Sequence, residues 1–244
     1  MTEEKKKKPD VLSRRKFIRN TGYTVGGLAV GGVLGSILSL GTAKKNKVET
    51  AQNFNQALMY FTPEQYRIVE AATERIYPKD DHGPGAKELG VAFFIDHQLA
   101  GDWGFNSREY MQAPFFKGEK VQGFQGRLKR RDIFDIAIRE LNNHSQAVYK
   151  KDFIDLKGDE KDAILKDFEE DKVNITTISP SGFFNMLRSS TLEGVYSDPL
   201  YGGNKNMDGW KMRNYPGSKM AYASVIEKDF KKIKPQSLQN HMGK

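Results

Sequence analysis

Apolar residues in this chain recur at three- and four-residue spacing, and no stretch of useful length alternates every second position. A half-buried strand needs that alternation, because successive side chains point to opposite faces. The sequence therefore predicts an all-α, helical bundle-like single domain with long ordered loops.

Proline and glycine mark where the helices begin and end. In Phe61-Thr62-Pro63-Glu64-Gln65, Thr62 serves as N-cap, Pro63 fills the first helical position and Gln65 can close a capping box. Ile68, Val69, Ala72 and Ile76 follow at helical spacing until Pro78 stops the run. After an Asp80–Gly85 turn, a second helix is predicted from about Ala86 to Ala100, burying Leu89, Ala92, Phe93 and Leu99, with Gly101 as its stop. A third helix is predicted over about Leu128–Lys150 on Ile133, Ile136, Ala137, Leu141 and Val148, and a fourth over about Asp159–Glu170 on Ile164, Leu165 and Phe168. Ser179-Pro180 repeats the start signal for a fifth helix carrying Phe183, Leu187, Thr191 and Val195, which Asp198-Pro199 ends.

Two irregular stretches interrupt this pattern. Residues 101–126 mix Gly and Pro with Trp103, Phe105, Tyr110, Phe115, Phe116 and Phe124. Asp198–Gly217 holds four Gly, two Pro, Tyr201, Trp210 and Tyr215 with almost no hydrophobic period. A loop of that length is either functional or disordered, and its aromatic content argues for order. It is expected to be packed, either on its own domain or on another protein.

Charge separates the front of the chain from the rest. Residues 1–43 carry eight Lys or Arg against three Asp or Glu, leaving 31 basic and 28 acidic residues in the remainder. The body shows no concentrated basic stripe, so no nucleic-acid partner is expected. Within the front segment, Ser13-Arg14-Arg15-Lys16-Phe17-Ile18 leads into a Gly-rich apolar run from about Tyr23 to Leu40. This resembles a twin-arginine translocation signal, whose determinants here are Ser13, Arg14, Arg15, Phe17 and Ile18. Cleavage is expected after Ala43, and retention as an N-terminal anchor is the alternative. The expected organisation is a signal segment over 1–43, a linker over 44–60, a helical domain over 61–227, and a polar basic tail over 228–244 that frays.

The absence of cysteine excludes disulfides, thiolate zinc sites, Cys-ligated iron–sulfur clusters, covalent haem attachment and a lipoprotein anchor. Gly83-Pro84-Gly85 with Gly90 lacks the spacing and the preceding strand of a dinucleotide site. Glu140 and His144 stand four apart on one helix, a spacing that can present two metal ligands, but an exposed or capping histidine is the commoner outcome and no metal site is assigned. No catalytic or cofactor-binding residue is assigned.

Several segments together resemble the gluconate 2-dehydrogenase subunit 3 family. They are Phe61–Gln65, Tyr77-Pro78 with Pro84-Gly85-Ala86, Phe94-Ile95-Asp96, Asp198–Asn204, Gly209-Trp210 and Tyr215-Pro216-Gly217. The resemblance implies a non-catalytic small subunit accompanying a large flavin-dependent oxidoreductase of the glucose–methanol–choline class, with FAD held by that partner. It also implies that a cytochrome subunit can complete the assembly and that the small subunit carries the twin-arginine signal for the whole. The expected location is the extracytoplasmic face of the membrane or the periplasm. The partner interface is expected at Asp198, Tyr201, Gly202, Gly203, Asn204, Trp210, Tyr215 and Pro216, because interface centres favour aromatics. Two other readings stay open. One is a self-sufficient exported oxidoreductase pairing Asp96 or Asp198 with His97, and the other is a structural protein of the cell envelope without a redox partner.

Overall fold

The computed structural model describes residues 57–116, 118–119, 122, 126–229 and 232–242. Ser13, Arg14, Arg15, Phe17 and Ile18, the apolar run, residues 44–56 of the linker and Phe124 lie outside the described residues. Among those described there is no strand, and the main helices are α1 (Pro63–Ile76), α2 (Val91–Ala100), α3 (Asp102–Phe105), α4 (Arg130–Tyr149), α5 (Gly158–Glu169) and α6 (Pro180–Tyr196). Two short helices follow, α7 (Asp208–Met212) and α8 (Gln239–Met242).

The predicted caps form as the residue types require. Thr62 Oγ1 accepts from the Gln65 N–H at 3.2 Å while Gln65 Oε1 accepts from the Thr62 N–H at 2.9 Å. Ser179 Oγ accepts from the Gly182 N–H at 3.0 Å and opens α6. The predicted second helix begins late, and the cause is local. Val91 N–H reaches back to Ala86 O and Gly90 N–H to Lys87 O, closing one turn that Gly90 ends at φ 72°, and α2 starts only after it. Ala86 and Leu89 are fully buried all the same.

The core lies between α1, α2, α4, α5 and α6, with α2 packed against α1, α3 and α6. A file of edge-on aromatic rings crosses it. Trp103 meets Phe134 at 6.1 Å, Phe134 meets Phe183 at 5.3 Å, and Phe183 meets Phe168 at 6.1 Å. These contacts tie α3, α4, α6 and α5 together with the geometry aromatic pairs prefer. Phe134 and Ile138, which the periodicity of α4 left unassigned, are buried, whereas the predicted Val148 is 51% exposed on the last turn. On α2 the buried pair is Phe94 and Ile95, and Phe93 is only partly covered.

One buried carboxylate fixes the point where the chain enters the domain. Asp96, on α2 and fully enclosed, accepts the main-chain N–H groups of Met59 at 2.6 Å, Tyr60 at 3.0 Å and Phe61 at 2.6 Å. Three donors that would otherwise lack partners near α1 thus share one charged acceptor. Replacing Asp96 with Ala should lower the unfolding free energy by about 3 kcal/mol or more, since the donors lose an ionised acceptor. Urea unfolding would measure that loss, and faster amide exchange at Tyr60 and Phe61 would localise it.

Candidate partner-docking loop

An α-helix ends with carbonyls that no later turn can satisfy. In α6 the loop that follows satisfies two of them. Asn204 Nδ2 donates to Ser197 O at 2.8 Å, and Trp210 Nε1 donates to Tyr196 O at 2.7 Å. Asn204 also accepts from the Gly209 N–H at 2.8 Å, so this fully buried amide joins the helix end to the start of α7. To make these bonds the loop backbone must lie directly on the helix. A Cβ on Gly203 would run into Gly194 O, and one on Gly209 into Val195 O, so only glycine permits the approach at either position.

Asp198 forms the second junction. Its carboxylate accepts from the Leu200 N–H at 2.9 Å, from Ser237 Oγ at 2.6 Å and from the Leu238 N–H at 2.8 Å. Gly217 pairs with Gln236, and the Ser218 N–H donates to Gln236 O at 2.7 Å. Residues 236–241 are therefore docked against the loop, where composition had predicted a frayed end.

Each predicted interface residue can now be placed. Tyr201 and Tyr215 are 47% and 50% exposed, Gly202 and Pro216 are half-buried, and Gly203, Asn204, Asp198 and Trp210 are buried. Trp210 is only 5% exposed and packs edge-on against Tyr215 at 5.3 Å. Asn204 and Asp198 hold the loop's own backbone, at the Gly209 and Leu200 N–H groups. An open depression lined by Tyr196, Trp210, Arg213, Asn214, Tyr215 and Pro216 lies beside the exposed tyrosine. On its wall Arg213 stacks over the Tyr196 ring at 4.9 Å and donates through Nε to the Tyr196 hydroxyl at 3.1 Å. Burial, followed by its hydrogen bond with Tyr196, pushes the neighbouring Tyr77 phenol up to about 12, so it stays protonated at neutral pH.

Of the proposed acid–base pairs, the structure brings Asp96 and His97 together, with His97 Nε2 4.0 Å from Asp96 Oδ2. Both groups also serve the backbone: Asp96 holds the entering chain and His97 Nε2 lies 3.1 Å from Ala57 O, while Asp198 holds the tail. His144 pairs with Asp167 at 2.9 Å, and Glu140 bonds to Asn143 at 3.2 Å. Among the described residues no group of three or more His, Asp or Glu could hold a metal ion.

The sequence reading gave no interface role to the first aromatic stretch, yet Tyr110 is 82% and Phe116 76% exposed there. Its base is fixed, with Asn106 Oδ1 accepting from the Arg130 N–H at 2.9 Å and Glu109 pairing with Arg130 at 2.7 Å. Aromatics among Gly and Pro were the available signal, but composition does not say which rings turn outward.

Residues 63–217 match the family described as gluconate 2-dehydrogenase subunit 3. The chain belongs to that family. The match opens at the first residue of α1 and closes at Gly217, so the seated loop lies within the subunit 3 region and the docked tail beyond it. Comparison with curated proteins and with solved structures gives no match.

In this subunit 3 chain, Trp210→Phe keeps the ring contact and removes the donor to Tyr196 O; the expected cost is about 1–3 kcal/mol. Gly209→Ala should cost at least about 1–3 kcal/mol through overpacking against Val195 O. Equilibrium urea unfolding monitored by circular dichroism checks both.

Proposed function

We propose that this chain is a non-catalytic small subunit that binds, stabilises and escorts a large flavin-dependent dehydrogenase of the glucose–methanol–choline class. Family membership supports an accessory role, and the observation that carries the reading is the use of Asp198, Asn204 and Trp210 to brace a loop that leaves Tyr201 and Tyr215 outward. A braced loop loses little conformational entropy on association, so its exposed tyrosines can contribute most of their contact energy. The FAD, in this reading, belongs to the partner. Electrons leave that flavin for an acceptor outside this chain, such as a cytochrome subunit.

Export completes the proposal. The twin-arginine route carries folded cargo, and the signal around Arg14 and Arg15 would take the bound dehydrogenase through as a passenger. The assembly would then work on the extracytoplasmic face of the membrane or in the periplasm.

Tagged full-length chain should recover a flavoprotein from native membranes, and deletion of the chain should leave that flavoprotein in the cytoplasm. Recovery of the chain alone, with the dehydrogenase still exported in the deletion strain, would contradict the proposal. Replacing Tyr201 and Tyr215 together with Ala should weaken partner binding by roughly tenfold or more. Titration calorimetry reads the affinity, and an unchanged urea midpoint would show that the effect is on docking and not on folding.

A further inference from the structure

The segment after the family match differs from the rest of the body in charge. Residues 218–244 hold six Lys against Glu227 and Asp229, while residues 44–217 hold 25 basic and 26 acidic residues. The body's net positive charge therefore resides after Gly217. The same segment exposes apolar side chains, with Met220 79%, Ile226 74% and Tyr222 42% accessible.

Backbone pairing makes this segment a closed excursion. Its neck is pinned by the Ser218 N–H to Gln236 O at 2.7 Å, the Gln236 N–H to Pro216 O at 3.1 Å, and His241 Nε2 at 2.9 Å from Ser218 O. Within the loop, Val225 N–H donates to Tyr222 O at 2.8 Å and Lys228 N–H to Val225 O at 3.2 Å, giving local turns that carry the exposed residues. Lys219 lies 5.6 Å from the centre of the Tyr222 ring, and Lys228, Lys232 and Lys234 are exposed.

We propose that Met220, Tyr222 and Ile226, with Lys219, Lys228, Lys232 and Lys234, form an interfacial anchor for an anionic lipid surface. A protein interface would need a continuous patch of about 800 Å² with a dry centre. Three apolar side chains spread over successive turns among lysines suit a bilayer boundary better. There, methionine and isoleucine enter the acyl edge, tyrosine sits at headgroup level, and lysines extend to the phosphates. Lysine supplies the attraction and apolar insertion the depth, so both are needed for firm attachment. Glu227 and Asp229 oppose the attraction but are outnumbered by the four lysines. These residues follow, in the chain, the family region that contains the loop presenting Tyr201 and Tyr215.

The chain contains no cysteine, so Ile226→Cys in the full-length protein accepts a single polarity-sensitive fluorophore. Vesicles of mixed phosphatidylcholine and phosphatidylglycerol should shift its emission to the blue, whereas vesicles of phosphatidylcholine alone should not. The same label at Val148→Cys, an exposed position on the last turn of α4, should not respond to either. Combining Lys228→Gln, Lys232→Gln and Lys234→Gln should raise the lipid concentration for half-maximal shift by more than about tenfold. Co-sedimentation through the N-terminal segment without a shift at position 226 would overturn the proposal. So would equal shifts at 226 and 148, or a shift produced by the dehydrogenase and not by lipid.

Discussion

The end of α6 exposes carbonyl groups that the helix cannot satisfy itself, and the way they are satisfied governs the course of the chain from Ser197 to Trp210. Asn204 and Trp210 reach back from the following loop to Ser197 O and Tyr196 O, and Gly203 and Gly209 let the backbone come close enough for them to do so. Each leftover acceptor in a buried place would otherwise carry a desolvation cost. Loop order is thereby coupled to helix termination.

The same economy recurs at two buried carboxylates. Asp96 gathers the N–H groups of three successive residues ahead of α1, and Asp198 gathers the start of the loop and the docked tail. Both carboxylates have residue types that suggest acid–base chemistry, and both are spent on backbone. A buried carboxylate surrounded by main-chain donors is a structural device, because its lone pairs are committed before any substrate arrives. Among the described residues, the exposed large side chains include Tyr201 and Tyr215 of the seated loop, Tyr110 and Phe116 of the first aromatic stretch, and Met220 and Ile226 after Gly217.

Much of the fold was legible residue by residue. Thr62-Pro63 and Ser179-Pro180 start helices where they stand because a hydroxyl cap and a fixed proline φ favour only that local geometry. The family was legible as a resemblance carried chiefly by the segments of Asp198–Gly217, within the residues 63–217 that match it. The late start of α2 was hidden because Gly90 terminates one turn before another begins, a choice of φ that an apolar pattern does not encode.

Sequence alone determined the helical class and the starts of α1 and α6, because these depend on short-range spacing and on the intrinsic preferences of Pro, Ser and Thr, and the resemblance of whole segments pointed to the family. Tertiary structure decided which aromatics of that loop face outward. Trp210 and Tyr215 are both large aromatics near one turn, yet one donates its N–H to a helix end 14 residues earlier and is buried, while the other remains half-exposed. The same holds for Asp198, whose partners at Ser237 and Leu238 lie about forty residues away. Burial is set by contacts distant along the chain, and those exist only after the helices have packed.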